Sequence, residues 1–115
     1  MNLISKTSLL AIAASAGLCI SMSAFAEPDA DAAQKLSKSS GCTKCHTVDK
    51  AKKGPSFQKV AAKYKGKADA EQKLTTHLTT SPKVKFPDGT EEEHDTVDTK
   101  DPKQLKNLVQ WILVQ

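Results

Sequence analysis

The sequence predicts an all-α domain. Apolar residues recur at helical spacing in four segments, capping residues stand at several of their ends, and no convincing strand pattern interrupts them. The first segment, Asp29–Gly41 (DADAAQKLSKSSG), is weakly amphipathic and is stopped by Gly41. The second, Gly54–Gly66 (GPSFQKVAAKYKG), places Phe57, Val60, Ala61 and Tyr64 at i, i+3, i+4 and i+7, with Pro55 suited to its start and Gly66 to its end. The third, Asp69–Thr80 (DAEQKLTTHLTT), has Asp69 as an N-cap with Gln72 in capping-box position, and Ala70, Leu74, His77 and Leu78 share a face. The fourth opens with Asp101 as cap and Pro102 in the first turn; Leu105, Leu108, Val109, Ile112 and Leu113 form its stripe, with Trp111 beside it. Between the last two segments, Thr80–Lys100 reads as a long loop, and a loop of that length in a compact domain is usually functional or a sign of a wrong assignment.

The 115-residue chain is long enough for one small domain. Lys6 precedes the apolar run Ser8–Met22, which leads to Ala24-Phe25-Ala26, with small residues where a signal peptidase reads. Residues 1–26 are therefore expected to be a cleaved signal peptide and residues 27–115 the exported domain, in the periplasm, without a transmembrane segment. Leu18 before Cys19 argues against a lipoprotein signal. The remaining apolar side chains are few for a self-sufficient core, and small exported domains with that deficit usually carry disulfides, a metal or a cofactor. Cys42 and Cys45 are too close together to staple a fold, so a cofactor is the better expectation.

Charge is lopsided. The chain has a formal net charge of +4 and no arginine. Lysines dominate from Lys35 to Lys85, and acids dominate from Phe86 onward. Most of these charges read as solvated surface. Lys44, Lys50, Lys52 and Lys53 could also steer acidic partners. Nucleic acid is a poor candidate partner for an exported chain without arginine.

Cys42-Thr43-Lys44-Cys45-His46 is a C-x-x-C-H run, which reads as a c-type haem attachment. Two thiols at this spacing reach two vinyl groups of one porphyrin, and the adjacent imidazole points at the iron from below. One helical turn, on the first helix or at its C-terminal edge, holds all three. A zinc site would need two further ligands, and His77 and His94 lack the close spacing of a finger. A thioredoxin-like pair would need a βαβ setting that is absent. A bound haem would also supply the missing core.

From Gly41 to Gly66, GCTKCHTVDKAKKGPSFQKVAAKYKG resembles the small bacterial class I cytochromes c, and DAEQKL and LKNLVQWIL continue the match. The resemblance implies about four helices wrapped around one covalent haem c, with the N- and C-terminal helices crossing. It implies that Pro55 offers its carbonyl to the Nδ1–H of His46, that His77 lies near a haem propionate, and that Leu36 replaces the aromatic at the helix crossing. The family's sixth ligand is a methionine before the last helix. Here the methionines are Met1 and Met22, both expected to leave with the signal, and His94 stands nearly where that methionine would be.

His94 is accordingly the leading candidate for the distal iron ligand. His77, a lysine or an open sixth position are the alternatives, and an exposed loop histidine among acids is the bland reading. The leading functional expectation is a monomeric electron-transfer cytochrome, not an enzyme, with bis-histidine ligation and a lowered potential, working with redox proteins that carry acidic docking patches. The alternative is a gas-binding or sensing haem protein with an open or labile sixth site. A peroxidase-like role lacks an identifiable distal acid–base pair.

Overall fold

The computed structural model describes Gly17 and residues 26–115. The expected signal peptide, residues 1–26, therefore lies almost wholly outside the described residues. Four α-helices form: α1 (Ala30–Ser39), α2 (Phe57–Tyr64), α3 (Ala70–Thr79) and α4 (Pro102–Leu113). No helix among the described residues is long and apolar enough to cross a membrane.

Helix starts follow from local chemistry. Asp29 accepts from the amide of Ala32, Ser56 from Lys59 and Asp101 from Lys103, each satisfying an amide left free in a first turn. The α3 start differs from expectation. Asp69 sits at the cap position, but its carboxylate makes no cap hydrogen bond and instead meets Lys73 Nζ at 2.9 Å. The ammonium one turn on takes the carboxylate that the capping box needed. Gly41 takes φ +77° after α1, a left-handed turn that ends the helix.

Helix α4 is the hub, packed against α1, α2 and α3. Leu108 and Val109 are fully enclosed, and Ile112 and Trp111 complete its inner face against Ala33, Phe57, Leu74 and Leu78. Trp111, expected beside the stripe, is thus part of the core. Phe57 meets its indole edge-on at 5.5 Å between ring centres. On α1 the buried positions are Ala33 and Ser37, four residues apart, whereas Leu36 packs from the rim. Asn107 joins the start of α1 to α4 with two hydrogen bonds of 2.8 Å to the backbone of Asp29.

The segment 80–100 is not structureless. Lys83–Lys85 (β1) and Glu91–Glu93 (β2) pair antiparallel in the register Lys83–Glu93, Val84–Glu92, Lys85–Glu91. The turn is Phe86-Pro87-Asp88-Gly89-Thr90, with Gly89 at φ +88° and Asp88 accepting from the amide and hydroxyl of Thr90. Side chains alternate across a strand, so Val84 and Glu92 share a face, and Phe86 and His94 continue it. Val84, Phe86 and His94 are part-buried while Lys83, Lys85, Glu91 and Glu93 are exposed. Beyond the hairpin the chain is fastened by Val97 N–H donating to Leu78 O at 2.9 Å and Asp98 N–H donating to Ser40 Oγ at 2.9 Å.

Candidate haem site

The C-x-x-C-H run forms its own turn. After Gly41, Cys42–Lys44 makes one turn of 3-10 helix, and the amides of Cys45 and His46 both donate to Cys42 O, at 3.1 and 2.9 Å. The three functional side chains thus sit on one turn that follows α1 rather than on α1 itself. Both cysteines are free thiols and half-buried. Burial raises the Cys42 thiol above its ordinary value, against a smaller lowering by the neighbouring Ser37 hydroxyl. That hydroxyl is itself buried and lacks a hydrogen-bond partner of good geometry.

His46 is held on three sides. Its Nδ1–H donates to Pro55 O at 2.6 Å; a carbonyl only accepts, so Nδ1 carries the proton and Nε2 is left with its lone pair. Its ring stacks on Phe57 with centres 5.3 Å apart. Behind it lies Gly54, where a Cβ would come within 2.7 Å of His46 Cε1 and 3.1 Å of Nδ1. Only glycine lets the backbone pass so close. The Gly54 amide donates to Cys45 O at 2.7 Å, which closes the loop on the turn. Gly54 was not legible as a site residue, because its role depends on a contact across eight positions of irregular chain. Burial lowers the His46 pKa, partly offset by the Pro55 hydrogen bond, so the neutral ring that can bind a metal is favoured.

The three histidines converge. The ring of His94 lies 6.1 Å from that of His46, tilted by 45°, and 4.4 Å from that of His77, which meets it edge-on. His94 N–H donates to Pro82 O at 2.9 Å, and its Nδ1–H donates to Asp95 O at 2.7 Å, again leaving Nε2 as the free donor atom. His77, half-buried on α3, has its pKa lowered first by burial and then by the His94 charge. Among the described residues no group of three or more His, Cys, Asp or Glu is arranged to hold a bare metal ion. Of the four lysines expected near the site, Lys52 donates to Thr43 O at 2.9 Å and Lys53 pairs with Glu92 at 2.7 Å.

The donor set suits a covalent haem: two free thiols and one oriented imidazole on a single turn, a glycine cradle behind that imidazole, and a second imidazole facing it. Comparison with known proteins agrees. The cytochrome c family model matches residues 30–114. Cytochrome c-551 of Pseudomonas denitrificans is 31% identical over 85 residues, covering 70% of this chain and 93% of that protein. Cytochrome c-551 of Allochromatium vinosum is 45% identical over 51 residues, a match spanning 44% of this chain and 54% of that protein. Among solved structures, the class 1 cytochrome MtoD from Sideroxydans lithotrophicus ES-1 superposes with a TM-score of 0.73 at 57% identity, over 76% of this chain and 96% of that one. Cytochrome c552 of Nitrosomonas europaea gives 0.54 at 29% identity, over 74% of this chain and 96% of that one. The chain belongs to the cytochrome c family, whose cofactor is one covalent haem c, and its Cys42, Cys45 and His46 fit the C-x-x-C-H attachment motif.

Proposed function

We propose that this protein is an electron carrier of the periplasm whose haem iron is held by His46 and His94. The bound haem supplies reversible one-electron chemistry at iron; the chain supplies attachment, axial ligands and a docking face. Cys42 and Cys45 form the thioethers. His46 is the proximal ligand, oriented by Pro55 and Gly54.

The observation that carries the His94 assignment is the facing pair. Imidazole–metal bonds of about 2 Å put the centres of two rings sharing one metal from opposite sides roughly 6 Å apart. The separation of His46 and His94 is 6.1 Å, and each has its Nδ1 committed to a carbonyl, which leaves its Nε2 free to ligate. The family's usual methionine has no counterpart, since the methionines stand at positions 1 and 22. His77 packs against His94 and flanks the site from α3.

Imidazole in place of a thioether favours ferric iron, so the midpoint potential falls below that of methionine-ligated relatives. The chain is read as exported after Ala26, with the domain at residues 27–115 acting as a monomer. Lys44 and Lys50 form no salt bridge among the described residues and remain available to acidic patches on redox partners. Mass spectrometry of the exported protein, spectra of both oxidation states and a midpoint titration test this reading. The expected result is a chain from Glu27 with one haem that survives denaturation, low-spin bands in both states and a lowered potential. A high-spin ferric spectrum in the wild type would instead mark an open, ligand-binding site.

A further inference from the structure

The hairpin that carries His94 is tied to the loop that carries His46. Lys53 lies between His46 and Pro55 in sequence, on the proximal loop. Its ammonium meets Glu92 Oε1 at 2.7 Å and sits 4.7 Å from the centre of the Phe86 ring. Glu92 stands two residues before His94 on the same strand face, and Phe86 closes the other strand. One side chain therefore grips both strands of the hairpin. The hairpin is otherwise poorly anchored at this end. Each strand has three residues, and Glu91–Glu93 is exposed throughout. The other described ion pair, Lys73–Asp69, lies within one turn of α3 and joins nothing distant.

We propose that Lys53 is a positioning residue for the distal ligand: by holding Glu92 and Phe86 it latches the hairpin against the proximal loop and keeps His94 on the iron. The inference rests on the reading of His94 as a ligand and adds what decides its persistence. An open latch lets the hairpin swing and exposes the sixth position to outside ligands. A closed latch keeps that position filled, so the haem exchanges electrons without binding small molecules. The pair is solvent-exposed, so its hold weakens as salt rises.

The test is the rate at which cyanide replaces the distal ligand in the ferric holoprotein, with amide exchange at the His94 N–H as a second readout. Lys53→Gln and Glu92→Gln should each speed cyanide binding by about three- to tenfold at low salt, the range that an exposed ion pair and a cation–π contact support. Because both substitutions break the Lys53–Glu92 pair, the double variant should be no faster than Lys53→Gln alone, and Lys53→Glu with Glu92→Lys should recover the part of the wild-type rate due to the ion pair but not the part due to the Phe86 contact. Exchange at His94 should quicken in the same variants. In about 1 M salt, where screening falls to a few ångströms, the wild type should approach them. Lys73→Gln should change neither readout. A low-spin wild type whose Lys53→Gln and Glu92→Gln variants bind cyanide at its own rate would overturn the latch and leave His94 ligation standing. A wild type that is high-spin before cyanide is added would overturn the ligation reading and the latch with it.

Discussion

His46 and His94 face each other across the same site but are secured by different kinds of contact. Around His46 the partners are near in sequence: Pro55 and Gly54 hold the ring, Gly54 N–H donates to Cys45 O, and Phe57 N–H donates to Thr47 O at 2.9 Å. The loop then runs into Phe57, which rests on Trp111 in the core. Around His94 the partners come from across the chain: Pro82 on its own hairpin, Leu78 at the end of α3, Ser40 at the end of α1 and Lys53 on the opposite loop. Leu78 belongs to the core but is met here only through its backbone carbonyl, and the others are not buried apolar anchors. The proximal side is a closed local loop set on the core, and the distal side is a short hairpin stitched down at its margins. The first is expected to open only with the whole domain, and the second at smaller cost.

The largest expected effect comes from breaking the proximal side where it meets the core. Phe57→Ala removes the ring between His46 and Trp111 and should destabilise the protein by about 3–5 kcal/mol, as truncation of buried phenylalanines does. Denaturant unfolding of the holoprotein measures it. Because the loop and core are one unit, the loss should appear in global unfolding rather than in a separate early step.

A smaller effect is expected at Gly54. The added methyl of Gly54→Ala meets His46 Cε1 at 2.7 Å, and the ring is fixed by Pro55, so backbone or imidazole must shift. Overpacking of this kind costs about 1–3 kcal/mol. Here it should also reduce the yield of attached haem, which pyridine haemochrome absorbance reports.

The smallest effect has the opposite sign and lies away from both histidines. Ser37 is 2% exposed, and its hydroxyl finds no good partner. Ser37→Ala removes that orphan and should raise stability by about 1 kcal/mol, read as a higher unfolding midpoint. It should leave the haem spectrum unchanged, which separates core packing from control of the iron.

The same contrast decides what the sequence could disclose. The four helices were readable because their apolar faces repeat at helical spacing and because Asp101 caps in place. Asp69 misled because Lys73, one turn on, competes for its carboxylate. The attachment turn was readable because its chemistry is local. The hairpin was missed: Lys-Val-Lys opposite Glu-Glu-Glu shows almost no apolar alternation, and only the Asp88-Gly89 pair signalled its turn. Ser37 and Gly54 matter through packing and close approach, which spacing along the chain does not reveal. The position of His94 was suggested by the missing methionine, but the face it shares with Phe86 and Glu92 required the strand register.

The most direct test of the account is the ferric spin state of three proteins by electron paramagnetic resonance: wild type, His94→Ala and His77→Ala. The two substituted rings lie 4.4 Å apart, so each variant controls for disturbance of the other's surroundings. The account predicts a low-spin wild type, a high-spin His94→Ala and a low-spin His77→Ala. A His94→Ala protein that stays low-spin, or a His77→Ala protein that alone turns high-spin, would contradict it.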